Sequence, residues 1–155
     1  MFPEGSELVV VAVTAMVIGL VVVFHYEVIK LLNRWHPHPR REIRGQFRGR
    51  PIILATMFTL LFAHVAEIWL FGAAFWLLLA QNGYGAIGGY LHVTLLDCVY
   101  FSAANYTTVG WGDLAATGHI RFLAGTEALV GFMMITWSAS FTYLIMARAW
   151  GENER

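Results

Sequence analysis

The chain has 155 residues, of which 58% are hydrophobic and 13% are charged, and ten basic side chains balance ten acidic ones. A composition this apolar excludes an ordinary cytosolic protein and indicates one that resides in a lipid bilayer. The balanced charge gives no general attraction to nucleic acid, and the single cysteine, Cys98, excludes a disulfide within the chain.

The first apolar stretch runs from Leu8 to Ile29 and is interrupted only by His25 and Glu27. It is as long as the roughly 20 residues that a helix needs to cross a bilayer. Acidic residues precede it where a secretory signal carries basic ones, and no small-residue cleavage site follows. Residues 1–30 are therefore predicted to form a retained transmembrane helix.

A basic linker over residues 31–50 comes next. The cations in it and at its start, opposed only by Glu42, are Lys30, Arg34, Arg40, Arg41, Arg44, Arg48 and Arg50. The positive-inside rule makes this linker cytoplasmic, with the amino terminus outside and a short tail over 149–155 in the cytoplasm. We therefore expect a multi-pass protein of the plasma membrane whose linker contacts anionic lipid headgroups and not nucleic acid.

The second apolar stretch begins a predicted pore domain over 51–148 and forms its outer helix, over 51–80. It carries only two ionisable residues, His64 and Glu67, which lie three positions apart on one helical face. Ionisable groups in a membrane helix are expensive and usually functional. An interhelical hydrogen bond or ion pair is the favoured role. A gate or a metal site is the alternative, although two ligands alone make no metal site.

The region between the second and third apolar stretches divides into two parts. Its first part is rich in glycine around Gly83 and Gly88 and is predicted to be a loop. Residues 93–106 are apolar but too short to span a bilayer, and they lead directly into the glycine-rich residues 107–113. Residues 93–106 are therefore interpreted as a re-entrant pore helix, because backbone without regular structure is tolerated at membrane depth only inside protein or along a wet cavity.

The run Thr107-Thr108-Val109-Gly110-Trp111-Gly112-Asp113 has the character of an ion-selectivity filter. A cation that leaves water needs fixed oxygens, which rings of backbone carbonyls can supply. Successive carbonyls of an ordinary strand point to opposite sides. Turning them all to one axis requires left-handed conformations, which glycine adopts at low cost. The alternative is a glycine-rich extracellular turn between two helices.

This run resembles the pore signature of potassium channels, T-V-G-Y-G-D, over Thr108–Asp113, with Trp111 as the one departure. The resemblance extends over roughly Pro51 to Ala147. It implies a tetramer with three further copies of the chain and K+ as the permeant ion. It also implies that K+ is coordinated by the Thr108 hydroxyl and by backbone carbonyls of Thr108, Val109, Gly110 and Trp111, with Asp113 capping the outer end. The residues expected to support this filter are Thr107, Gly112, Asp113, Tyr100 and Phe101.

Trp111 stands where the family has a tyrosine whose hydroxyl bonds to pore-helix aromatics. The indole N–H of Trp111 can still donate a hydrogen bond, and the candidate neighbours are Tyr100, Phe101 and Tyr106. Because the ion ligands are backbone atoms, the substitution keeps them, but it leaves the K+/Na+ ratio open.

The third apolar stretch is predicted to be the inner, pore-lining helix over 119–148. Gly118 and Gly125 are expected to permit close helix contacts, and Gly131 is either a hinge or a packing position. Glu127 either braces the pore helix or senses protonation. Ser138 either lines the inner vestibule or bonds back to its own helix.

The predicted fold class is an all-α membrane protein with three transmembrane helices, a re-entrant pore helix and a selectivity filter, assembled as a tetramer. The sequence contains no nucleotide-binding loop and no H-E-x-x-H metal motif, so an enzyme is not expected. The favoured function is a potassium-selective channel. The alternatives are a weakly selective cation channel and a non-conducting, pore-like regulatory subunit.

Overall fold

A computed structural model of the chain describes residues 5–35, 49–89 and 93–151. Within these ranges the elements follow in the order α1 (Ser6–Trp35), α2 (Gly49–Leu79), β1 (Gly85–Gly88), α3 (Leu95–Tyr106), β2 (Ala115–Gly118) and α4 (Ile120–Gly151). Most of the predicted basic linker and of the tail lies outside the described residues, and so do the proposed headgroup contacts.

Three of these helices are long and apolar enough to cross a membrane: Ser6–Trp35, Pro51–Leu79 and Ile120–Ala147. The predicted class, a mostly helical membrane protein with three spans, is confirmed. The first helix continues to Trp35, into residues that the sequence analysis gave to the linker. Pro51 lies in the first turn of α2, where a missing backbone N–H costs no helical hydrogen bond.

The short helix α3 packs closely against α2. A Cβ atom on Gly72 of α2 would lie 2.8 Å from the Cα of Val99 in α3, so only glycine allows this approach. Phe75 and Phe101 meet edge to face across the same interface, with ring centroids 5.1 Å apart. The core thus holds α3 on the outer helix, while α1 packs on both α2 and α4.

The two strands form an antiparallel pair, although the region of β1 had been predicted to be a loop and no strand had been predicted at β2. Gly85 pairs with Gly118 and Gly88 with Ala115. Gly118 has a φ of +72°, and a Cβ there would lie 2.7 Å from the Cα of Gly85. Gly118 therefore closes this strand pair. The expectation that it permits a close contact of the inner helix is wrong.

The strand pair lies at the same end of the molecule as the start of α1. The Glu7 carboxylate is 4.0 Å from Nδ1 of His119, the residue between β2 and α4. The start of α1, the strand pair and the outlet of residues 107–113 therefore share one end of the helical bundle.

Candidate ion-conduction site

The start of α3 is fixed by a capping box. The Thr94 hydroxyl accepts a hydrogen bond from the Asp97 backbone N–H, and the Asp97 carboxylate accepts one from the Thr94 backbone N–H at 2.8 Å. Hydrogen bonds from the Thr94 hydroxyl and backbone lower the pKa of Asp97. Its carboxylate lies at the positive end of the helix dipole, which stabilises the start of α3.

The backbone after α3 alternates between residues with positive φ and residues without it. Thr108, Gly110 and Gly112 have φ angles of +58°, +53° and +81°, whereas Val109 and Trp111 are not in the positive region. Thr108 is the only residue other than glycine with a positive φ among the described residues. A left-handed conformation costs roughly 1–2 kcal/mol for such a residue. Strain of this kind persists where surrounding structure imposes it and is concentrated at functional sites.

Backbone hydrogen bonds tie this segment to the end of α3. The Thr108 N–H donates to the Asn105 carbonyl at 2.8 Å, and the Gly110 N–H donates to the Ala104 carbonyl at 3.1 Å. In a planar trans peptide the carbonyl points opposite to the N–H of the next residue. The Val109 carbonyl, which shares a peptide with the Gly110 N–H, therefore points away from α3.

Two of the predicted support residues meet at the outlet of this segment. The Tyr100 hydroxyl donates to Oδ2 of Asp113 at 2.9 Å, and Oδ1 of Asp113 accepts the Leu114 N–H at 3.1 Å. This carboxylate is therefore held between α3 and the start of the chain toward β2. The side chains of Val109 and Trp111 are 52% and 69% exposed in the single chain.

A second set of contacts lies behind the segment, on the inner helix. Glu127 is fully buried, and its Oε1 accepts a hydrogen bond from Ser102 at 2.5 Å. The Ser102 oxygen also lies 2.8 Å from the Ile68 carbonyl, so Ser102 connects α2, α3 and α4. Gly131 packs directly on the backbone of Tyr106. Glu127 thus contacts the pore helix through Ser102, and Gly131 lies at a close backbone contact with its last residue.

Comparison with known protein families matches residues 52–147 to the family described as ion channel. The match covers more than half of the chain and includes α3, the alternating segment and the inner helix. The chain belongs to the ion channel family. Neither a curated protein nor a solved structure gave a significant match.

The channel also contains a buried polar cluster that joins all four helices. Its members are His25 of α1, His64 and Glu67 of α2, Tyr106 of α3 and Ser138 of α4. Nδ1 of His25 lies 2.8 Å from Oε1 of Glu67, and the Tyr106 hydroxyl donates to Oε2 of the same carboxylate. The side chains of His25 and Glu67 are completely buried.

His64 and Ser138 complete this cluster through contacts of similar length. Nδ1 of His64 lies 3.3 Å from Oε2 of Glu67 and 2.9 Å from the Tyr106 hydroxyl. Ser138 Oγ lies 3.0 Å from Nε2 of His64 and 3.2 Å from Nε2 of His25. Ser138 is therefore buried within the chain and is not exposed along an inner vestibule.

The cluster changes two expectations for single residues. His64 and Glu67 do lie together, but the partner from α1 was not predicted, because sequence alone does not pair residues of two uniformly apolar helices. Tyr106 was a candidate neighbour of Trp111, yet its hydroxyl bonds to Glu67 on the outer helix. Glu27, the other ionisable residue of the first span, is exposed and pairs with Lys30 at 3.0 Å.

Proposed function

We propose that this ion channel conducts K+ selectively through the backbone carbonyls of residues 108–111. The observation that carries the proposal is the positive φ at Thr108, Gly110 and Gly112, in alternation with Val109 and Trp111. Alternating hand turns successive carbonyls toward the same side, and rings of such carbonyls can replace the hydration shell of a cation. The order of residues in this segment differs from the potassium-channel signature only at Trp111.

The proposed assembly is a homotetramer around one axis. A single chain provides one such segment, which cannot surround an ion, and its side chains at Val109 and Trp111 are largely uncovered. The inner helix also exposes several large apolar side chains, which are available to contact further copies or lipid: Phe122, Leu129, Phe132, Met133, Tyr143 and Leu144. Three further copies of the chain would close the pore and cover the filter.

The proposed orientation in the plasma membrane has the amino terminus and the Asp113 end of the filter outside. It is supported by the arginines between α1 and α2, which the positive-inside rule assigns to the cytoplasm. The proximity of Glu7 to His119 fits this orientation, since it brings the start of α1 to the outlet end of the filter. Cysteines introduced at residue 5 and in the linker test this orientation when intact cells are labelled from outside. Labelling of the linker from outside would reverse the orientation.

Flux through purified channels tests the function. Untagged protein in liposomes should pass K+ in preference to Na+, as read from reversal potentials under mixed gradients, and native mass measurement should give four copies. Comparable K+ and Na+ permeability would replace the proposal with a weakly selective cation channel, the alternative that Trp111 leaves open. Absence of flux from a correctly assembled tetramer would replace it with a non-conducting subunit.

A further inference from the structure

The buried polar cluster behind the filter has the donor set of a metal centre. His25, His64 and Glu67 each offer one ligand atom, a ring nitrogen or a carboxylate oxygen, and these atoms all lie within 4.8 Å of one another. Nδ1 of His25 lies 2.8 Å from Oε1 of Glu67, and Nδ1 of His64 lies 3.3 Å from Oε2 of the same carboxylate. Ligands at about 2.0–2.1 Å from a tetrahedral zinc ion are separated by roughly 3.3 Å. The separation at His64 equals this value and the one at His25 is shorter, so small side-chain adjustments would let the three groups hold an ion of this size.

The far sides of the two imidazole rings support the same interpretation. Nε2 of both His25 and His64 lies next to one oxygen, Ser138 Oγ, at 3.2 Å and 3.0 Å. A hydroxyl oxygen has two acceptor lone pairs and can receive both N–H groups. In the tautomer with the proton on Nε2 of both rings, each ring directs an Nδ1 lone pair toward the Glu67 carboxylate. Metal-binding histidines are usually oriented by such an acceptor on the other ring nitrogen.

A cation is needed between these groups in that arrangement, because two lone pairs and a carboxylate would otherwise face one another. Tyr106 supplies a fourth oxygen, since its hydroxyl lies 2.9 Å from Nδ1 of His64 and bonds to Glu67. Two imidazole nitrogens with carboxylate and phenol oxygens suit zinc-like ions better than Mg2+ or Ca2+, which prefer oxygen alone. The His64 side chain is 17% exposed, which gives this site a route to its surroundings.

We propose that His25, His64 and Glu67 form a binding site for a divalent transition-metal ion of the Zn2+ type, with Tyr106 as the fourth ligand. The site joins the first helix to the residue that ends the pore helix, two positions before Thr108. Its occupancy is therefore expected to change the open probability of the pore. Metal binding itself rests on the geometry of the cluster and not on K+ selectivity.

Equilibrium binding of Zn2+ to purified, untagged, full-length protein in detergent tests the site. Wild type should bind one Zn2+ per chain, and Co2+ in its place should give the visible absorption of a tetrahedral nitrogen and oxygen site. His25→Ala, which removes a ligand, should abolish this binding. The matched control is Glu27→Gln, which neutralises an exposed carboxylate of the same helix and should bind as wild type does.

A variant that keeps all ligands separates metal binding from folding. Ser138→Ala removes only the acceptor behind the two histidines and should weaken Zn2+ binding by about 10- to 100-fold in a protein that elutes as wild type. Absence of Zn2+ binding in wild type would overturn the proposal and assign the position between the rings to a proton. Equal affinity in wild type and in His25→Ala would overturn it as well. K+ flux that is lost without any change in Zn2+ binding would count against the proposed function only.

Discussion

Gly131 of the inner helix lies directly against the carbonyl of Tyr106, the last residue of the pore helix. A Cβ atom at Gly131 would be 2.1 Å from this oxygen and 2.8 Å from the carbonyl carbon. The neighbouring atoms belong to the backbone, which cannot rotate away as a side chain would. Close packing at this point sets the distance between α4 and the start of residues 107–113.

Gly131→Ala is accordingly expected to destabilise the assembled channel. Overpacking of this kind costs roughly 1–3 kcal/mol, and a backbone neighbour places the effect at the upper end. Thermal unfolding of the purified assembly measures it. Gly19→Ala in α1 is the matched control, since no heavy atom lies within 4 Å of its added methyl and alanine has the higher helix propensity. A stability of Gly131→Ala equal to that of Gly19→Ala would contradict the close contact.

Gly110→Ala is expected to abolish K+ conduction. The added methyl meets no atom within 4 Å in the single chain, so the effect arises from the φ of +53° and not from a clash within the subunit. An alanine in this left-handed conformation costs roughly 1–2 kcal/mol, and relaxing its φ would tip the carbonyl. Val109→Ala, at a position without positive φ, should keep conduction. Unchanged K+ current in Gly110→Ala would mean that ions do not pass along this backbone.

Tyr100→Phe and Asp113→Asn are expected to act through one shared hydrogen bond. Each should lower the K+/Na+ permeability ratio, because the carboxylate at the outlet loses either its donor or its charge. The double variant should lower this ratio little further than either single variant. In the stability of the assembly, the two substitutions should show a coupling energy of roughly 0.5–1.5 kcal/mol. Strictly additive effects would show that the two side chains act separately.

Glu127→Ala is expected to lower the free energy of unfolding by roughly 1–3 kcal/mol, because it leaves a cavity where a fully buried side chain connects α4 to Ser102 of α3. Glu127→Gln keeps the shape and an acceptor oxygen and should be much closer to wild type. The Ser102 hydroxyl has a single proton and two neighbouring oxygens, the Ile68 carbonyl and Oε1 of Glu127. A hydrogen bond to Ser102 is therefore possible with a neutral side chain at position 127. Equal destabilisation by alanine and glutamine would instead assign the interaction to the carboxylate charge.

Trp111→Tyr is expected to keep K+ conduction, since the carbonyl at this position belongs to the backbone. The K+/Na+ ratio should stay equal or rise as a hydroxyl becomes available to pore-helix aromatics. Trp111→Phe provides the same ring without the hydroxyl, and comparing reversal potentials of the two variants isolates its contribution. A lower ratio for tyrosine than for phenylalanine would contradict this role.

The three spans could be predicted from the sequence because length and continuous apolar character suffice to identify them. The short strands could not. β1 and β2 have four residues each, show no clear alternation of polar and apolar residues, and pair across the whole of α3. Their pairing depends on the path of residues 107–113, which connect α3 to the chain before β2. The glycines of this region had been taken to indicate turns. In the structure, Gly85 and Gly118 lie at strand ends where two backbones approach closely.

The proposed filter could be predicted from the sequence, whereas the buried polar cluster behind it could not. The residues of the filter are adjacent in sequence, so their order alone indicates a carbonyl-lined path. The contact between His25 and Glu67 joins residues 42 positions apart on two helices that are apolar on every side. Helix rotation and register determine that contact, and neither can be read from periodicity when no polar face exists.

The contact between His25 and Glu67 also limits how far the pore can be used as a portable module. The residues that match the ion channel family begin at position 52, after the helix that carries His25. An excised or grafted pore would retain a buried carboxylate on its outer helix while losing the imidazole that faces it. Channel chimeras built on this chain therefore need either the first helix or a neutral residue in place of Glu67.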